Sequence, residues 1–235
     1  GNWYVGQKQG EIWGYETYGL FQSEQEIAGA ANQDKVSGGI KLMPGDIRFV
    51  DRNNDGVIDW GDNTVDNPGD KKIIGNSTPR YHYGINLGAD WKGFDLGIFF
   101  QGVGKRDLYL PGTSFRSHYG SEWQVPSAYN NDYWTEENTG AYFPRARFNG
   151  GSAINQAQTR YMVDASYCRL KSLSIGYTLP KVLTQKASIE KIRIYFTGEN
   201  LFTISDTPDG LDPELDNPYT YPMQRSLSVG LSLTF

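Results

Sequence analysis

Ser226-Leu227-Ser228-Val229-Gly230-Leu231-Ser232-Leu233-Thr234-Phe235 alternates, residue by residue, between apolar and small polar side chains. Strand side chains repeat every two positions. Leu227, Val229, Leu231, Leu233 and Phe235 therefore share one face, and Ser226, Ser228, Gly230, Ser232 and Thr234 share the other. The same rhythm runs upstream. Ile85, Leu87, Ala89 and Trp91 alternate with Gly84, Asn86, Gly88 and Asp90. After Lys92-Gly93, the residues Phe94, Leu96, Ile98 and Phe100 alternate with Asp95, Gly97, Phe99 and Gln101. So short a connection predicts a hairpin. Leu173, Ile175 and Tyr177, then Ile192, Ile194 and Phe196, repeat the pattern. The faces opposite hold Asp, Asn, Arg, Ser, Thr and Gly, which a compact core rejects and a watery lumen accepts. Leu170 falls on the wrong face of its run, which predicts a bulge or the membrane rim at that point.

Composition sets the bounds. No run approaches the ~20 apolar residues that a membrane helix needs, but a transmembrane strand needs only ~10, half of them facing a polar lumen. Aromatics at 14% and 28 glycines suit either a sandwich or a barrel with aromatic girdles. A net charge of -5 argues against a nucleic-acid partner. The single cysteine, Cys168, excludes an internal disulfide framework. The opening stretch carries neither a start methionine nor a signal peptide, so a processed piece or fragment is expected, with any leader upstream. Connections alternate between long and short, as in barrels with long extracellular loops and short periplasmic turns. The expected fold is all-β: a fragment of an antiparallel transmembrane β-barrel with about six strands. Residues 1–235 form that one region, with long extracellular loops near 22–80, 104–166 and 201–222.

Residues 51–62, DRNNDGVIDWGD, fit the spacing of a calcium loop. Asp51, Asn53 and Asp55 occupy positions 1, 3 and 5, Gly56 permits the sharp turn, and Val57 offers a backbone carbonyl. Asp59 stands at position 9 and Asp62 at position 12. Position 12 is ordinarily Glu, and the shorter Asp arm brings Mg2+ into competition with Ca2+. The expected role is structural, stiffening a long loop. The rival reading is an Asx-rich turn that solvates itself.

No catalytic constellation emerges. The carboxylates of Trp134 to Arg147 and of Gly210 to Pro222 are not paired on rigid strands, so glycosidase chemistry ranks well behind. His82 and His118 lack metal-ligand spacing. Tyr119, Trp123, Tyr129 and Tyr133 are candidates for loop packing, partner contact or ligand stacking, and enrichment alone does not choose between these. The rival fold is a soluble, secreted, calcium-braced β-sandwich that binds glycans.

Taken in order, GEIWGYETYGLF at 10–21, PGDIRFVDRNNDGVID at 44–59, IGNSTPRYHYGINLGADWKGFDLGIFFQG at 74–102, YWTEEN at 133–138, YCRLKSLSIGYTLP at 167–180, IRIYFTGENLFT at 192–203, DPE at 212–214 and the final SVGLSLTF resemble the SusC/RagA family of TonB-linked outer-membrane proteins. One departure is Glu136, where family members commonly have Pro after the WT pair. The resemblance implies the C-terminal part of a 22-stranded barrel with an N-terminal plug not in this chain. Phe235 then stands as the aromatic ending usual in bacterial outer-membrane barrels. It also implies a bacterial outer-membrane location and import of oligosaccharides or peptides. The implied partners are the rest of the barrel and its plug, TonB acting through that plug, a SusD-like surface lipoprotein lid, and outer-membrane lipid.

Overall fold

The computed structural model describes residues 4–109, 132–147, 151–185, 188–208, 211–215 and 220–235. The chain divides into two compact units, Gly1–Thr78 with Asp107–Val163, and Pro79–Arg106 with Asp164–Phe235.

The second unit carries the alternating segments. Strands β5 (Tyr81–Trp91), β6 (Phe94–Gly104), β9 (Tyr167–Thr178), β10 (Lys191–Glu199) and β12 (Ser226–Thr234) form one antiparallel sheet in the order β12-β10-β9-β6-β5. A short strand, β11 (Thr203–Ser205), pairs with the start of β9. The β5–β6 hairpin closes in two residues. Lys92 and Gly93 have φ values of 46° and 90°, the left-handed pair of a turn whose twist matches that of the strands. The turn between β9 and β10 contains a single helical turn, α3 (Lys181–Thr184), and lies at the same end of the sheet, because Phe94 pairs with Tyr177 and Arg193 with Thr178.

The anomaly at Leu170 is a bulge. Phe99 pairs with Ser172 but Phe100 pairs with Leu170, so Lys171 is the extra residue. The bulge switches the parity of β9. It places Leu170 on the apolar face beside Phe100 and Arg169 on the polar face beside Gln101.

The first unit is built differently. Strands β1 (Glu11–Tyr15) and β4 (Lys71–Asn76) pair with one another, as do β2 (Thr17–Leu20) and β3 (Ile47–Phe49). Strand β7 (Asp107–Tyr109) pairs with β8 (Met162–Asp164). Two short helices stand between β2 and β3. Helix α1 (Glu24–Ala28) is N-capped by Ser23, whose Oγ accepts the Glu26 amide at 3.2 Å. Helix α2 (Asp34–Ser37) ends at Gly38, which turns left-handed at φ 81°. Tyr15, Phe21, Val36, Ile47, Phe49, Ile58, Trp134, Phe143, Ile154 and Tyr161 are buried, so this unit has an ordinary apolar core. Parts of the stretches at 22–80 and 104–166 are ordered into elements, among them α1, α2, β3 and β4.

Candidate functional site

The candidate site is the sheet of the second unit, whose two faces differ in chemistry. Cross-strand registers line up the apolar positions into continuous rows. Leu87 faces Ile98, which faces Leu173; Ala89 faces Leu96, which faces Ile175; Ile175 faces Phe196, which faces Val229; Ile194 faces Leu231. These side chains point away from any core. Leu87, Leu96, Ile175, Ile194, Val229 and Leu231 are exposed, Val229 by 78% and Leu231 by 59%, while Ile98 is half-buried. A sandwich would trap this face between two sheets, so the sandwich reading is overturned. Exposed apolar surface of this extent is stable against hydrocarbon, not against water.

Aromatic residues gather at the short-turn end of that face. Trp91 pairs with Phe94, and the Phe94 ring lies 4.5 Å from that of Tyr177. The Lys92 ammonium sits 5.0 Å over the Trp91 ring. Such a row marks the depth at which hydrocarbon meets headgroups.

The opposite face is polar and internally braced. Arg193 makes two hydrogen bonds to Asp95, at 2.9 and 2.5 Å, and its guanidinium lies 4.7 Å over the Tyr195 ring. The pair reaches across β9 above Gly176, where any Cβ would meet the Arg193 and Asp95 side chains at 2.5 Å. On the apolar face, in register with Ile85 and Leu87, Tyr83 lies across Gly102 to donate to the Tyr167 carbonyl at 3.0 Å. A Cβ at Gly102 would come within 2.4 Å of that backbone oxygen, which cannot yield.

At the long-connection end, Arg169 is buried and ties down the segment after β11. It reaches Asp212 at 2.6 Å, Glu214 at 2.7 Å and the Thr203 hydroxyl at 2.8 Å, and Lys171 adds a bond to Glu214 at 2.8 Å. Arg106 donates to the Pro213 carbonyl at 3.0 Å. Burial alone would raise the Asp212 carboxyl. Arg169 and the backbone amides of Glu214 and Met223 instead hold it below the usual carboxylate range. Both carboxylates are thus committed to cations, a poor start for glycosidase chemistry. Sequence reading noted the DPE triplet but missed its partner. The parity break at Leu170, which turns Arg169 inward, was the available signal.

In the first unit, the side chains at the start of the 51–62 loop turn onto the loop's own backbone. Asp51 accepts the Asn54 and Gly56 amides at 2.7 and 2.9 Å, Asn53 accepts the Asp55 amide at 3.1 Å, and Asp55 accepts the Val57 amide at 2.8 Å. This is the inward-turned backbone that the template requires. Asp59 instead meets Lys35 at 2.7 Å, which holds its carboxyl below the usual range, and Asp62 accepts from Asn67 at 2.8 Å. Among the described residues no group of three or more His, Cys, Asp or Glu is gathered closely enough to hold a metal ion. The residue that organises the loop is Asp70, which sequence reading overlooked. Fully buried, it accepts the Arg52 amide at 2.7 Å and the Asp59 amide at 2.8 Å, tying together both ends of the turn.

Of the aromatic candidates, Tyr119, Trp123 and Tyr129 lie outside the described residues, as does His118. Tyr133 lines a cavity of about 380 Å³ with Trp134, Glu136, Glu137 and Arg145. Trp134 is itself buried beneath Arg145, whose guanidinium lies 5.2 Å over its ring.

A strand wall that is apolar outside, polar inside and rimmed by aromatics defines a class: the outer-membrane β-barrel. No family model matches the chain. It is 32% identical over 98% of its length to TonB-dependent receptor P3 of Formosa agariphila, covering 22% of that protein. It is 29% identical over 80% of its length to TonB-dependent receptor SusC of Bacteroides thetaiotaomicron, covering 17% of it. Among solved structures it resembles the RagAB peptide transporter, with a TM-score of 0.65 and 23% identity over 96% of the chain and 23% of the other. The chain is a homologue of TonB-dependent receptors, SusC among them, and forms part of an outer-membrane protein. It spans less than a quarter of the length of the first two relatives named here.

Proposed function

We propose that this chain is one sector of the wall of a TonB-dependent importer that takes up oligosaccharides or peptides across the outer membrane. The observation that carries the reading is the two-faced sheet, joined to homology with TonB-dependent receptors along 98% of the chain. In this reading the apolar face contacts lipid and the polar face lines the lumen. The two short turns face the periplasm, and the segments 104–166 and 201–222 lie on the extracellular side. Transport is driven through a plug contributed by the rest of the protein, under a SusD-like lipoprotein lid, and the chain performs no catalysis of its own. The Arg169 clamp supports an ordered extracellular loop against which a lid or ligand could rest.

Uptake by intact cells tests this. Interrupting the gene should abolish import of at least one class in a panel of labelled oligosaccharides and peptides, and so should collapsing the proton gradient. Undiminished uptake across the whole panel overturns the reading. Affinity purification of the whole receptor should bring down a surface lipoprotein.

A structural divalent cation at residues 51–62 belongs to the same proposal. Asp51, Asn53, Asp55 and the Val57 carbonyl would hold it, with Asp59 exchanging Lys35 for the ion and Asp62 leaving Asn67. Calcium titration of the whole receptor, followed by calorimetry, should then give a heat that the substitution Asp55→Ala removes. No heat would leave the loop as a turn braced by its own hydrogen bonds and Lys35.

A further inference from the structure

The short-turn end of the second unit carries apolar surface that neither strand pairing nor transport accounts for. In α3, Val182 is 74% exposed and Leu183 57% exposed, while the next residue, Thr184, is fully buried. Successive helical positions are ~100° apart, so a buried Thr184 leaves its two predecessors off the packed side. The turn is closed by its own backbone. Leu183 donates to the Pro180 carbonyl at 3.0 Å, Ile189 to that of Thr184 at 3.2 Å, and Leu179 to that of Ile192 at 2.9 Å. Val182 and Leu183 are therefore held outward by a formed turn.

Their position follows from the aromatic row. Lys181 comes four residues after Tyr177, at most ~13 Å of extended chain, or ~10 Å along the membrane normal for a strand tilted ~40°. The headgroup layer on each side of the hydrocarbon core is roughly 5–8 Å deep, so α3 falls at its outer margin. The charges suit that depth. Residues 181–191 contain three lysines and one glutamate, and Lys181 and Lys191 are both exposed. Lysine stems lie along apolar surface while their ammonium groups seek phosphate.

We propose that α3 is an interfacial anchor, with Val182 and Leu183 embedded among the phospholipid headgroups of the periplasmic leaflet and the flanking lysines on lipid phosphates. Helix α3 joins β9 to β10 directly beyond the Phe94 and Tyr177 rings of the apolar face, so we assign its occupant as lipid rather than a second protein. The inference rests on the barrel reading above.

The test uses the whole receptor, cleared of native cysteines, in vesicles of phosphatidylcholine and phosphatidylglycerol. Spin labels are placed by Val182→Cys, Gln185→Cys and Leu231→Cys, one at a time. Collision with oxygen, which partitions into lipid, is compared with collision with a water-soluble nickel chelate. The label at 231 should report the hydrocarbon interior. The label at 182 should lose nickel accessibility and gain oxygen accessibility relative to that at 185. If 231 reports lipid while 182 matches 185, the anchor is overturned and the barrel stands. If 182 is shielded from both reagents, protein covers it and the lipid assignment fails. If 231 itself is open to nickel, the barrel reading fails along with the anchor.

Discussion

The two units of this chain solve opposite solvent problems with the same amino acids. The first buries Tyr15, Phe21, Ile47, Ile58 and Tyr161 and leaves its carboxylates largely outside. The second sends Leu87, Val229 and Leu231 outward and turns Asp95, Arg193 and Arg169 to its other face. The difference teaches that burial in an isolated chain is no measure of apolar stabilisation. An exposed leucine in the second unit is as well placed for its medium as a buried phenylalanine in the first.

Substitutions break the comparison most sharply at the buried charges and the core. Arg169→Ala removes the cation of Asp212, leaving Glu214 to Lys171 alone, and should cost ~3–5 kcal/mol, as does breaking other buried pairs; loss of protection against protease within residues 203–215 is the readout. In the first unit Phe21→Ala should also cost ~3–5 kcal/mol through cavity formation, measured by denaturant unfolding of the whole receptor. Leu231→Arg should cost ~2–4 kcal/mol if it lies near the membrane midplane, read as loss of heat-resistant mobility in gels. Leu231→Ala should be far milder, because it opens no cavity. Equal damage from the alanine changes at Phe21 and Leu231 would erase the distinction between the units.

Acid sharpens the comparison through two carboxylates. Asp212 is held below its ordinary range, so the stability it contributes is complete above the unfolded value and is lost as pH falls through the folded one. Asp46, in the first unit, is raised chiefly by burial despite Arg147 at 2.7 Å. Its folded form binds a proton more readily than its unfolded form, so its contribution to stability grows as pH falls through its folded value. Hydrogen exchange as pH falls below the ordinary carboxylate value should therefore show the segment near Asp212 loosening first, with the turn at 43–46 held. The smallest effect is expected at Lys35→Ala. It removes an exposed pair with Asp59 and should leave unfolding nearly unchanged.

How much was legible follows from the length of each pattern. Strands of nine to twelve residues advertise their period, so both faces, the two-residue turn and the break at Leu170 could be read from the residues. The first unit uses strands of three to six residues, too short for a period to stand out from chance, and its core draws on positions as distant as Tyr15 and Tyr161. Its stretches therefore read as loops. The 51–62 spacing was visible, but Lys35 and Asn67 were not. Which carboxylate meets a distant lysine is decided by tertiary placement, which sequence spacing does not encode.

The outer strands of the sheet carry a last consequence. Among the described residues, β5 and β12 end its order, and each has one flank of amide and carbonyl groups turned away from the ladder. In water such a flank is merely sticky. In hydrocarbon every unanswered group costs several kcal/mol, so an arc of wall is not a smaller version of a wall. Crossing the membrane becomes a property of the closed ring alone. Membrane entry of this sector should be all-or-none, proceeding only together with the strands that answer its two open seams.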